Sequence, residues 1–112
     1  MHGQLSWRVK DKLFAWERPL RQSDLRDLAQ LGVSPYGGEI LGVRVEHEGA
    51  KEALVQSEPG IFFTIPHFKG YAAVLVKLEK IGVEELEELL VESWLLRAPK
   101  RLAASYIASF QG

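Results

Sequence analysis

LSWRVKDKLFAWE, residues 5–17, decides the fold class. Leu5, Trp7 and Val9 alternate with Ser6, Arg8 and Lys10, and a period of two marks a half-buried strand. Asp11-Lys12 breaks the alternation. Residues 13–17 resume extended character with Phe14 and Trp16, and Pro19 stops it. Two strands around a two-residue break read as a hairpin, although the usual glycine is missing from the turn. Trp7 and Val9 are expected to face the core, with Trp7 and Trp16 pairing across the hairpin. Arg8, Lys10 and Lys12 should then share the polar side, because side chains two apart on a strand point the same way.

The rest of the chain adds elements in turn. Ser23 is a candidate cap for a short helix to Leu31, with Leu25, Leu28 and Ala29 on its apolar face and Gly32 as a stop. Pro35, Gly37 and Gly38 make a loop. Residues 40–45 read as a strand, 50–57 as a helix, 61–65 as a strand closed by Pro66, and 72–78 as another strand. Residues 83–97 form the longest helix, with Val83, Leu86, Leu90 and Trp94 at helical spacing and the glutamates facing water. Pro99 interrupts it before a last helix over 101–110. The order β-β-α-β-α-β-β-α-α predicts an α+β fold. It consists of an antiparallel sheet of about five strands with helices mainly on one face.

A chain of 112 residues, 46% apolar and 26% charged, is read as one globular domain over 1–112. Cysteine is absent, which excludes disulfide and thiol chemistry. No run reaches the length of a membrane span and the start lacks an apolar signal core, so the chain is read as cytoplasmic. Net charge is −1, with no global pull toward nucleic acid. Its distribution is uneven. Residues 1–21 and 93–112 each carry an excess of three cations, whereas residues 79–92 hold six glutamates against Lys80.

Several motifs now line up. Arg8-Val9, Lys12 and Phe14-Ala15 make R-V-x-x-K-x-F-A. Glu52-Ala53-Leu54-Val55 precedes Glu58-Pro59. Phe63, Pro66 and Gly70-Tyr71 mark the loop before the last strand. Glu88-Leu89-Leu90, Ser93-Trp94 and Ala98-Pro99-Lys100-Arg101-Leu102 form a C-terminal signature. In this order they resemble the MmcQ/YjbR family. The resemblance implies a CyaY-like sandwich, similar to double-wing DNA-binding domains, and it brings no catalytic residues. Members usually begin with a helix ahead of the first hairpin, whereas this chain starts almost at the hairpin. An apolar surface is therefore expected, covered by another chain or by the helix that Ser23 begins.

Arg8, Lys10 and Lys12 in a row would meet successive phosphates of duplex DNA. Lys100 and Arg101, just after Pro99, open a helix whose first amides favour anions. His67 and Lys69 lie in an aromatic loop. Each has a plainer structural alternative: edge protection by lysine for the hairpin, pairing with helix glutamates for the C-terminal pair, and an ordinary surface position for His67. His47 between Glu46 and Glu48 is a poor chelator, because strand alternation sends its neighbours to the other side, and His2 is read as frayed. The glutamates are read as a solvated face with ordinary acidities. Catalytic residues, metal and cofactors are all expected to be none. The leading expectation is a non-enzymatic domain that binds double-stranded DNA weakly. The alternative is a protein-interaction module or homo-oligomer using the exposed sheet.

Overall fold

The structure, a computed structural model, describes residues 5–111, with side chains to residue 109. His2 lies outside the described residues. β1 (Ser6–Val9) and β2 (Lys12–Glu17) form the hairpin. Its turn is Lys10-Asp11, one residue earlier than expected, and both residues have positive φ, 48° and 67°. This is the primed turn whose twist matches the strands, held here by residues less suited to it than glycine. Arg8 Nη1 donates to the Asp11 carbonyl across the turn (3.1 Å).

After the hairpin come α1 (Gln22–Gln30), β3 (Ile40–Arg44), α2 (Glu48–Ser57), β4 (Phe62–Phe63), a short 3-10 turn (Pro66–Phe68), β5 (Ala73–Lys77), α3 (Val83–Arg97) and α4 (Lys100–Gln111). The five strands pair antiparallel in the order β1-β2-β3-β5-β4. The fold class is α+β, as the element order predicts.

Val9 pairs with Lys12 and Arg8 with Leu13, but Trp7 pairs with Ala15. Phe14 is thus the extra residue of a β-bulge. The bulge lets Phe14 and Ala15 both pack into one core cluster. It also separates the tryptophans. Trp7 stands across from Ala15, while Trp16 is opposite Ser6 on the other face. Trp7 remains 43% exposed, so the expected Trp7–Trp16 pair does not form.

Strands β3 and β5 are buried almost throughout, and their two faces feed two cores. On one face Ala15, Leu41, Val43, Phe62, Val74 and Val76 pack beneath Leu89 of α3, joined by Ala50, Leu54 and Val55 of α2. On the other, Ile40, Ala73 and Leu75 pack with Leu28 of α1 and with Ile65 and Phe68. Each large side chain so buried stabilises by about 1.5–3 kcal/mol. Gly42 is required where Trp16 crosses β3: a Cβ there would lie 2.7 Å from Trp16 Cε2 and 2.8 Å from Cζ2.

α3 packs on the sheet partly as expected: Leu86 and Leu90 lie against the core cluster that holds Leu89. Leu89 and Ser93 are the buried residues, and Ser93 Oγ donates to the Phe14 carbonyl (2.9 Å). Val83, expected inward, is 80% exposed. Leu86, Leu90 and Trp94 also border an open groove of about 560 Å³, whose wall includes Trp7, Phe14 and Tyr106. α4 packs on α3 here, with Trp94 and Tyr106 rings 5.5 Å apart. α1 does not cover this groove, because Leu28 anchors it to the opposite face.

Candidate functional site

The hairpin does not present a basic ribbon. Arg8, Lys10 and Lys12 are exposed. Lys10 sits at the tip of the turn, however, and the register puts Arg8 on the side of Leu13 and Lys12 on the side of Val9. A two-residue turn placed one position earlier reverses the expected alignment. Lys100 and Arg101 are exposed at the start of α4. That helix packs on α3, across the sheet from α1.

The α1 side brings other residues together. Trp16 and Leu13 point there from β2, and the 66–71 loop contributes His67, Phe68 and Tyr71. Arg18 follows β2, and Arg21 precedes α1. These residues line a cup of about 450 Å³ with no carboxylate among its lining residues. His67 and Lys69 are exposed on the loop, and Arg21 is exposed beside the cup. Of the residues singled out from the sequence, His67 lines the cup, Lys69 is two residues away, and Arg8 faces the same side.

Arg18 is the buried member. Its Nη1 donates to Asp24 Oδ2 (2.9 Å) and to the Pro19 carbonyl (2.6 Å). Asp24 also accepts from the Arg21 N–H (2.9 Å). That bond places the cap of α1 at Arg21 rather than at the expected Ser23. Burial pushes the Asp24 carboxyl up. The Arg21 N–H, the Arg18 guanidinium and the charge of His67 outweigh it and hold the group below its ordinary value. Arg18 Nη2 is shielded and has no partner. A buried donor in that condition costs roughly 1–3 kcal/mol. The guanidinium carbon lies 5.5 Å from the Phe68 ring centre.

The loop wall is held from behind. Lys51 of α2 is buried and its Nζ donates to the carbonyls of Phe68 (2.8 Å) and Tyr71 (2.9 Å). Gly70, at φ 78°, donates its N–H to Glu48 Oε2 (2.6 Å). Phe68 and Tyr71 meet edge to face at 5.4 Å, and Arg44 lies 4.8 Å above the Tyr71 ring. His47 serves structure: its Nδ1 accepts the Ala50 N–H (3.0 Å) and caps α2.

The acidic surface lies on the other side of the sheet. Glu84, Glu87, Glu88 and Glu92 of α3 are exposed. Glu85 departs from the expected ordinary acidity: a hydrogen bond with Glu58, slight desolvation and the charges of Glu58 and Glu88 raise its carboxyl. Among the described residues no group of three His, Asp or Glu is placed to hold a metal ion, and no helix is long and apolar enough to cross a membrane.

Arg18, Arg21, Trp16 and Tyr71 were not singled out as site residues from the sequence. Arg18 and Asp24 are six positions apart across a strand end and a helix start, and no motif marks that pair as buried.

The comparisons with known proteins point one way. Uncharacterized proteins of Mycobacterium tuberculosis and Mycobacterium bovis are each 55% identical over 103 residues, which is 92% of this chain and 80% of theirs. No solved structure matches. The YjbR family model matches residues 1–96, so it takes in the hairpin, the cup and most of α3 and stops short of Lys100 and Arg101. By that match, the chain belongs to the YjbR family.

Proposed function

We propose that this is a small non-enzymatic cytoplasmic domain whose α1 side binds the phosphate backbone of double-stranded DNA weakly. The observation that carries this reading is the division of charge across the sheet. Arg8, Arg21, His67 and Lys69 gather on one side, with Lys10 at the hairpin tip, while the exposed glutamates of α3 occupy the other. Phosphate contacts need exposed cations on held elements, and the 66–71 loop is held by Lys51 and Glu48. The sheet stands between this surface and the acids of α3, and their repulsion of a phosphate is screened beyond about one Debye length, ~10 Å at 0.1 M salt. Lys12, Lys100 and Arg101 have no part in this contact surface.

Fluorescence anisotropy with random duplex at low salt tests it. Nonspecific affinity is expected at tens of micromolar, and three to four phosphate contacts give a slope of log K against log salt of roughly −3. Arg8→Glu with Lys69→Glu should abolish binding. Absence of binding by the wild-type chain at about 100 μM, the weak end of nonspecific affinities, overturns the reading.

The groove bordered by Trp7, Leu86, Leu90 and Trp94 favours a second reading, an apolar contact with another protein. Such association would persist at high salt, where the DNA contact is lost.

A further inference from the structure

The cup is built in a way that gripping a duplex from outside does not require. Its floor is a buried arginine, its rim carries Arg21 and His67, and its walls are Trp16, Leu13, Phe68 and Tyr71. Anchoring α1 accounts for Arg18 Nη1, which has two acceptors. It does not account for Nη2, which has lost water and gained no acceptor. Two arginines and the His67 imidazole converge on this space and no carboxylate lines it. Of the acids nearby, Asp24 is committed to Arg18 and to the Arg21 N–H, and Glu48 to the Gly70 N–H and Lys51.

We propose that the cup is a binding site for a small organic oxyanion, a phosphate or carboxylate group carried on a flat apolar body. The oxyanion is received by Arg21 and His67 at the rim, and a small side-chain shift brings Arg18 Nη2 to it as a further donor. The apolar body lies against Leu13, Trp16 and the edge of Tyr71. The volume of about 450 Å³ falls within the usual range of ligand pockets. The wall is pre-organised, because Lys51 fixes the carbonyls of Phe68 and Tyr71 and Glu48 fixes Gly70. Little ordering is left for the ligand to supply. This site goes beyond the DNA reading and does not need it, since the two share only Arg21 and His67.

Calorimetric titration of the full chain with phenyl phosphate, benzoate and inorganic phosphate tests the proposal, with the Trp16 indole N–H followed by NMR. A ligand of this size is expected to bind with Kd of about 1 mM. The better of the two aromatic anions should bind at least ~10-fold tighter than inorganic phosphate, and which one it is identifies the oxyanion. Arg21→Glu should weaken binding at least ~10-fold. Asp24→Asn should tighten it several-fold while lowering Tm, because Arg18 loses its internal counter-ion. A role confined to anchoring α1 would not raise affinity. Should Asp24→Asn fail to fold, the uncharged pair Arg18→Met with Asp24→Leu is expected to fold and to bind at least ~10-fold more weakly. Three results overturn the proposal: no binding of either aromatic anion at about 10 mM, tenfold above the expected Kd; equal affinity for inorganic phosphate; or binding unaffected by these variants. Arg8→Glu with Lys69→Glu separates the two readings, since it should remove DNA binding and leave phenyl phosphate binding intact.

Discussion

Replacing Asp24 with Ala strips the partner from a buried guanidinium. The Arg18 and Asp24 side chains are 4% and 1% exposed and meet at 2.9 Å. In the variant, Nη1 keeps only the Pro19 carbonyl, Nη2 still has nothing, and the charge remains out of water. Breaking a buried pair from one side costs about 3–5 kcal/mol. The lost bond to the Arg21 N–H adds about 1 kcal/mol, the worth of a helix cap. Against a total stability of roughly 5–15 kcal/mol this is a large fraction, and the expected fall in Tm is about 15–25 °C. Urea unfolding followed by tryptophan fluorescence reads it directly, since Trp16 lies close by. Arg18→Met with Asp24→Leu should recover most of the loss, because an apolar pair needs no desolvation of charge.

The pair also has a pH signature. The Asp24 carboxyl titrates lower in the folded chain than in the unfolded one. Its contribution is therefore complete above the unfolded value, ~3.9, and is lost as pH falls through the folded value. Asp24→Asn should flatten that part of the acid limb. A cost for Asp24→Ala below about 1 kcal/mol, the range of exposed ion pairs, would refute the reasoning, as would a double variant no better than the single one.

Two other substitutions probe the supports of the cup. Gly42→Ala pushes a methyl group into the Trp16 indole and should cost about 1–3 kcal/mol by overpacking, read as a lower urea midpoint with unchanged slope; an unchanged midpoint would mean that Trp16 is not held against β3. Lys51→Met leaves the Phe68 and Tyr71 carbonyls without their donor, at about 1–3 kcal/mol each. Hydrogen exchange in residues 66–71 should speed up markedly in that variant, and unchanged protection would show that the loop is held by other contacts.

Legibility in the sequence followed the range of the interaction. Alternation in residues 5–17 is a local property, so the hairpin was readable, as were its partner strands and the bounds of α3 at Val83 and Arg97. Its turn was not, because choosing Lys10-Asp11 over Asp11-Lys12 depends on the bulge at Phe14, which the pairing with Ala15 and the packing of both residues impose. That single-residue shift turned Lys12 away from Arg8 and dissolved the expected ribbon. The facing of α3 was legible only in part: Leu86 and Leu90 meet the core as expected, whereas Val83 is exposed and Leu89 and Ser93 are the buried residues. Leu86, Leu89, Leu90, Val91, Trp94 and Leu95 spread apolar surface around much of the helix, and the Ser93 bond to Phe14 selects which part is buried.

What the sequence determined by itself was the set of elements, the family, and the presence of aromatic and cationic residues near the two segments that form the cup. Periodicity, turn residues and motif order are carried by neighbours along the chain, and they survive without a fold. Only the tertiary structure decided that Arg18 is buried against Asp24, that Arg21 caps α1, and that Lys51 fastens the 66–71 loop from a helix 17 and 20 residues away. Those contacts depend on which face of the sheet each segment crosses. A one-residue change of register moves every side chain of a strand to the other face, and no short window of sequence records that choice.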